Sequence, residues 1–193
     1  DRILQDYMRQ YPEVDCMADR FIVASGEHGA LPHGIAGERK IRKGDFITMD
    51  FGCNCHGYWS DVTRTVCLGK ANAKQKEIYE ITLEAQNASI AAIAPGKTGK
   101  EIDKVARDLI TQRGYGEYFG HGLGHSFGLE IHEAPRFSQN QACDIPIKPG
   151  MIMTVEPGIY LPDFGGVRIE DDIIVTEIGC INLTKAEKEL IEL

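Results

Sequence analysis

Ile41 to Gly52 reads IRKGDFITMDFG, and Ile147 to Gly158 reads IKPGMIMTVEPG. Both fit I-x-x-G-x-x-x-T-x-[D/E]-x-G without a gap, and the offset is constant, since 147 minus 41 and 156 minus 50 are both 106. Asp50 therefore corresponds to Glu156. Each copy is followed by a second stretch with its own acid and arginine: SDVTR carries Asp61 and Arg64, and VRIED carries Arg168 and Glu170. One match of this length would mean little, but two carboxylate-bearing hairpins in corresponding places argue for an internal duplication. The expected fold is a duplicated α+β unit with a pseudo-twofold axis, near which four acids converge.

Side chains alternate across a strand. Thr48, Asp50 and Gly52 then share one face while Ile47, Met49 and Phe51 take the other, and Thr154, Glu156 and Gly158 likewise stand against Met153 and Val155. The apolar face anchors each strand and the acidic face points elsewhere. Carboxylates in otherwise apolar strands resist desolvation, and like charges close together raise one another's pKa. Something positive is expected between them. Two divalent ions would set four positive charges against four carboxylates, a balance that Arg or Lys would reach only with much more volume.

The rest of the chain supplies a frame for these hairpins. Ile3, Leu4, Tyr7 and Met8 have the spacing of the back half of an amphipathic helix. Phe21 to Ala24 reads as a strand, as do Phe46 to Gly52 and Tyr58 to Leu68. Asn72 to Ala94 is an alanine-rich helix stopped by Pro95-Gly96. Thr98 and Glu101 form a capping box ahead of Ile102, Val105, Ala106, Leu109 and Ile110 on one face, with Gly114 as the stop. Met151 to Val155 and Val167 to Val175 read as a second strand set, and Thr184 with Glu187 as the cap of a short C-terminal helix.

Composition narrows the function. A chain of 193 residues, 42% hydrophobic and 26% charged, is ordinary for one globular domain with a sizeable core. Asp and Glu outnumber Lys and Arg by 29 to 21 and the basic residues are dispersed, so no nucleic-acid groove is expected. No apolar run is long enough to span a bilayer and no basic-then-apolar signal opens the chain, which points to a cytoplasmic protein without a membrane partner. The chain opens at Asp1 rather than at a methionine, the mark of a processed or trimmed start. Six cysteines (Cys16, Cys53, Cys55, Cys67, Cys143, Cys180) form no C-x-x-C pair, and reduced, mostly buried thiols are expected. Cys53 and Cys55 share a strand face, but one such pair is weak ground for a soft-metal site.

HGLGHSFGLEIHE brings His121, His125 and His132 into one glycine-rich stretch. The spacing of His121 and His125 resembles a helical zinc pair, yet Gly122 and Gly124 disfavour a helix. A loop or strand with one ligand, His125, and two supporting histidines fits better.

Five stretches now resemble the pita-bread metallopeptidases, within them the Xaa-Pro aminopeptidase and prolidase branch. They are LPHG at 31–34, MDFGCNCHGYWSDVTRT at 49–65, HGLGHSFGLEIHEAP at 121–135, TVEPGIY at 154–160 and GVRIEDD at 166–172. They run in family order over nearly the whole chain. The resemblance implies that residues 1–193 are one catalytic domain, with the first helix cut short and the branch's usual N-terminal domain absent from this sequence. It implies five metal ligands: Asp61 and Glu170 bridging two ions, Asp50 on one, and His125 with Glu156 on the other. Manganese suits such oxygen-rich ligands, with cobalt or zinc as alternatives. His33, His121, His132 and Arg168 become substrate-positioning or supporting residues, His132 and His33 being the candidates for proton transfer.

The implied substrate is a peptide with proline in second position, cleaved at the Xaa-Pro bond by a metal-activated water. Cleavage from the N-terminus of longer peptides, as an Xaa-Pro aminopeptidase, is the leading expectation; an Xaa-Pro dipeptidase (prolidase) is the alternative. A catalytically silent peptide-binding module of the same fold is the reading from a different class, but such modules usually lose ligands and this chain keeps all five. A homodimer remains open. CNC at 53–55, His56 and Ser126-Phe127 depart from the family's wording without touching a ligand.

Overall fold

The computed structural model describes residues 1–17 and 21–193. A short helix, α1 (Arg2–Met8), buries none of its residues. Strands β1 (Val14–Met17), β2 (Ile22–Ser25), β3 (Phe46–Phe51), β4 (Cys53–Cys55), β5 (Tyr58–Trp59) and β6 (Val62–Cys67) lead to helices α2 (Ala73–Ala92) and α3 (Gly99–Gln112). The second half supplies β7 (Gly124–Ser126), β8 (Glu133–Phe137), β9 (Ile152–Val155), β10 (Gly158–Leu161), β11 (Gly165–Arg168), β12 (Asp171–Val175) and β13 (Cys180–Asn182). Among the described residues no helix is long and apolar enough to cross a membrane.

The duplication is visible in the sheets. Of four sheets among the described residues, one has the order β2-β3-β6 and another β13-β12-β9-β7-β8, with β1-β4-β5 and β10-β11 beside them, and every pairing is antiparallel. In each of the first two, the strand that leads to the repeat's acid, β3 or β9, lies between two others. The two halves meet along a seam: Glu170 donates its N–H to the Thr63 carbonyl (3.1 Å), and the hydroxyls of Thr65 and Thr48 reach the carbonyls of Arg168 (3.0 Å) and Gly166 (3.2 Å). Arg64 crosses it as well, donating to Asp171 Oδ1 at 2.7 Å and to the Glu170 carbonyl at 2.5 Å. The acidic face of β3 is therefore no less buried than the apolar one: Thr48 is sealed in the seam while Met49 and Phe51 are only partly covered.

α2 and α3 are capped as polar side chains at their starts dictate. Asn72 and Gln75 form a reciprocal capping box on α2, as Thr98 and Glu101 do on α3. Ile78, Ile81 and Ala85 of α2 and Ile102, Ala106 and Ile110 of α3 bury against Met153, Val155, Val167, Ile169 and Ile173. The large sheet thus has its hydrophobic anchor on the helical side and its polar residues on the other.

Two long strands expected from sequence are each broken, and the breaks fall at acids. The stretch 58–68 divides at Ser60-Asp61 and the stretch 167–175 at Ile169-Glu170. At the first, Gly52 lets the Ser60 carbonyl pack against its α-carbon where a Cβ would collide. At the second, the Glu170 N–H goes across the seam instead of to a ladder partner. Asp61 and Glu170 are freed from the pleat by these breaks and turn into the space between the halves.

The short C-terminal helix expected behind Thr184 and Glu187 does not form. Its backbone is engaged elsewhere: Arg64 takes the Ala186 and Glu187 carbonyls, the Tyr79 hydroxyl takes that of Lys188, and Ile191 and Leu193 pair with Cys67. The Thr184 hydroxyl, the expected cap, accepts from the Asp172 N–H. All six cysteines are free thiols, but only Cys67 and Cys143 are buried, fewer than the sequence led us to expect.

Candidate metal centre

Asp50, Asp61, His125, Glu156 and Glu170 line one cleft of about 230 Å³, together with His33, His121, His132, Arg136 and Arg168. The ligand atoms of Asp61, His125 and Glu170 all lie within 4.8 Å of one another. Asp50 and Glu156 stand at the margins of this trio. Glu156 Oε1 is 3.5 Å from His125 Nε2, and the Asp50 carboxylate is in hydrogen-bonding reach of Asp61. His33 and His132 are exposed where they line the cleft, and the His132 ring centroid is 4.6 Å from that of His125.

Local backbone sets each group. Gly124 has no Cβ, which would collide with the Thr154 carbonyl, so β7 closes on β9 and presents His125. The His125 N–H donates to Thr154 Oγ1 (3.0 Å), whose own hydroxyl donates to Glu156 Oε1 (3.1 Å). On the other side Thr63 Oγ1 donates to Glu170 Oε2 at 2.5 Å. Arg168, 3% exposed, donates to Asp50 Oδ2 (2.7 Å), Thr63 Oγ1 (3.1 Å), the Tyr160 hydroxyl (2.9 Å) and the Pro32 carbonyl (3.1 Å). It thereby ties the Asp50 carboxylate to the segment that bears His33. His121 Nδ1 lies 2.7 Å from the Gly122 carbonyl and must donate there, which leaves Nε2 to accept from the Tyr160 hydroxyl at 2.8 Å.

The electrostatics are those of a site that lacks positive charge at its middle. Burial, and then the neighbouring carboxylates, push Asp61 and Glu170 well above the usual range. Burial with Asp50 beside it lifts Glu156 to about 7, although Arg168 opposes the rise. Burial lowers His125 to about 4, so the imidazole is neutral at pH 7. Its Nδ1 is 3.1 Å from the Ser126 carbonyl and carries the proton, so the lone pair of Nε2 faces Asp61 Oδ2 at 3.7 Å and Glu156 Oε1 at 3.5 Å. A lone pair opposed to two carboxylates is unfavourable unless a cation lies between them. The donors present, four carboxylates and one imidazole, fit a pair of divalent cations of the oxygen-preferring or borderline kind.

A pH dependence follows. Carboxyls whose pKa is raised in the folded state hold protons that the unfolded chain has released above about pH 5, so stability falls as pH rises through their folded values. His121 and His125, lowered to about 4, act in the opposite sense only up to their unfolded value near 6.5. Between pH 6.5 and 8 the carboxyls act alone. The thermal midpoint in chelator is expected to drop by several degrees over that interval, and to drop less with excess Mn(II), which keeps the cluster ionised while Asp172, raised to about 7 by burial, still titrates. Equal slopes under both conditions would refute this account of the charge.

Four residues of the site carry no functional mark in the sequence reading. Thr154 joins His125 to Glu156 and Thr63 joins Arg168 to Glu170; Thr154 is the threonine of the repeat itself, a usable signal. Tyr160 closes TVEPGIY and joins Arg168 to His121. Nothing in periodicity or spacing marks Arg136, which follows HEAP.

Comparison with known proteins agrees with the resemblance. The profile of Metallopeptidase family M24 matches residues 1–177. An Xaa-Pro dipeptidase of Pyrococcus furiosus is 52% identical over 170 residues, covering 88% of this chain and 48% of that protein. The structure of an Xaa-Pro dipeptidase from Bacillus anthracis superposes with a TM-score of 0.96 at 53% identity, over 100% of this chain and 53% of that one. That of an X-Pro aminopeptidase from Thermotoga maritima gives 0.95 at 42% identity, over 100% and 53%. The fold is the duplicated pita-bread arrangement. The chain spans about half the length of the curated relatives it matches.

Proposed function

This chain belongs to metallopeptidase family M24, and from that membership together with the cleft's chemistry we propose that it is the catalytic unit of an Xaa-Pro dipeptidase, residues 1–193 acting as one domain. The order of preference reached from sequence, aminopeptidase before dipeptidase, is thereby reversed. Arg136 carries the reversal. It lines the cleft beside His125, His132 and Glu156, and among the described residues no carboxylate lies within ion-pairing distance of its guanidinium. A dipeptide presents its free C-terminal carboxylate one residue beyond the scissile bond, and a planar guanidinium suits that group. A longer peptide has only an amide there. The names of the dipeptidase relatives point the same way, and the cleft, at about 230 Å³, is small beside the ~300–1,000 Å³ of common ligand pockets.

Asp50, Asp61, His125, Glu156 and Glu170 would hold the two divalent cations, Mn(II) by preference. Bound there, the cations would supply Lewis-acid polarisation of the scissile carbonyl and a lowered pKa for water. The chain's own residues do the rest. Arg168 orients the Asp50 carboxylate through the 2.7 Å bond, and Arg168 is kept charged because Tyr160, Asp50, Glu156 and Glu170 together outweigh the cost of its burial. His132, its pKa lowered by burial with Arg136 adding to the effect, is neutral at pH 7. Its free ring nitrogen can take the proton given up by the attacking water and return it to the proline nitrogen as the bond breaks, and His33 lines the same cleft as a second carrier. The proline nitrogen has no N–H in the substrate, so nothing in this scheme relies on one.

The deciding test compares an Xaa-Pro dipeptide with the matching Xaa-Pro-Yaa tripeptide. The dipeptide is expected to be the better substrate, activity is expected to vanish in chelator and to return with Mn(II) or Co(II), and full turnover with metal verified as nil would sink the proposal. Arg136→Met is expected to raise KM for the dipeptide roughly 10- to 100-fold, the scale of one charge-assisted contact, and to leave the tripeptide nearly unaffected. Equal effects on both substrates would return the assignment to an aminopeptidase.

A further inference from the structure

The helix α3 carries an ion pair, Asp103 buried and Arg107 partly so, that does not line the cleft yet is bonded to the segment that bears His121. Asp103 is fully buried, and all its acceptor positions are taken. Oδ2 accepts from Arg107 Nε (2.8 Å) and Gln139 Nε2 (2.8 Å), and Oδ1 from Arg107 Nη2 (3.0 Å) and the Leu123 N–H (2.9 Å). Arg107 extends the same grip. Its Nη1 donates to the Phe119 carbonyl (3.0 Å), its Nη2 to the His121 carbonyl (2.8 Å), and its guanidinium lies over the Phe119 ring, 4.4 Å from the centroid.

Three bonds from one helical turn thus fix three backbone groups, at 119, 121 and 123. The last of these matters most, because the Leu123 carbonyl accepts the N–H of Glu156 at 2.8 Å. Leu123 is held from outside by Asp103 and in turn holds the backbone of a cluster carboxylate, while its neighbour Gly124 opens β7 ahead of His125.

The geometry points to Asp103 and Arg107 as positioning residues for the cleft, acting on Glu156 and His121 through the backbone of residues 119–123. The inference rests on the peptidase reading for what is positioned, though not for the positioning itself. A stabilising role alone is a poor account of the pair. Replacing a buried ion pair by apolar side chains of similar volume is often neutral or favourable for stability, because desolvation offsets the attraction. What an apolar pair would not supply is a donor for each of two carbonyls and an acceptor for one N–H.

The double replacement Asp103→Leu with Arg107→Met therefore separates the two roles. In the full chain loaded with Mn(II), the thermal midpoint is expected to fall because three backbone groups lose their partners, and turnover is therefore read per folded molecule. Turnover on an Xaa-Pro dipeptide is expected to fall about 10- to 100-fold, the usual cost of a displacement near 1 Å, with KM changed far less. Hydrogen exchange in the metal-free protein supplies a readout independent of activity: the amides of Leu123 and Glu156 are expected to lose protection while those of α2 keep theirs. Arg107→Lys retains the charge toward Asp103 but reaches only one carbonyl, so an intermediate loss is expected, and this variant decides the matter if the double one does not fold. Parental turnover and parental protection in a folded variant would overturn the inference. If the parent itself cleaves no Xaa-Pro substrate, the peptidase reading fails, and the exchange pattern alone still judges the positioning.

Discussion

Glu170→Gln is expected to lower turnover by roughly 10³-fold or more and to leave the chain unable to retain two divalent ions. The side chain is 2% exposed, belongs to the trio of converging ligands, and accepts a 2.5 Å bond from the Thr63 hydroxyl. An amide cannot bridge two cations, and it sets two N–H donors where only acceptors are wanted. The backbone offers no relief, because Thr63 and Arg64 hold the N–H and the carbonyl of the same residue. Metal content per chain and turnover measured on one preparation check this, with Glu170→Asp as a carboxylate control. Two retained ions with undiminished turnover would remove Glu170 from the set of ligands.

His132→Ala is expected to retain metal and to lower turnover on Xaa-Pro dipeptides by roughly two to four orders of magnitude, the scale of a lost general acid. The residue is exposed and stands next to His125, without being among the converging trio. Its loss should therefore cost little stability and little affinity for the ions. If His132 only packed beneath its loop, the thermal midpoint would drop and turnover per folded molecule would hold. Metal content, thermal midpoint and turnover of the one variant separate these outcomes. Arg136→Met makes a useful companion, since it is expected to act on KM rather than on turnover.

The duplication was the most legible feature, because a strand with an acid on a fixed offset leaves its pattern in the letters themselves. Asp50 and Glu156 were readable as counterparts on that ground, and both do lie against the same cleft. The two capped helices were equally plain, since capping boxes and apolar spacing are local. What the letters did not carry were the breaks at Asp61 and Glu170, which depend on a close approach at Gly52 and on a bond across the seam. The absent C-terminal helix has the same origin: Thr184 and Glu187 make a good local signal, but Arg64, more than a hundred residues earlier, claims the carbonyls. Arg136 was invisible for a different reason. An arginine at the mouth of a cleft looks, in one dimension, like any other solvated charge.

The bonds across the seam also bear on how the chain reaches its fold. Thr63 with Glu170 and Arg64 with Asp171 each join residues 107 positions apart. Loop-closure entropy must be met before such contacts return anything, which makes β topologies of this span slow to form. During synthesis the first half emerges with Asp50 and Asp61 already present and no partner for either. A nascent chain therefore has no complete set of the five groups until the second half has emerged and docked.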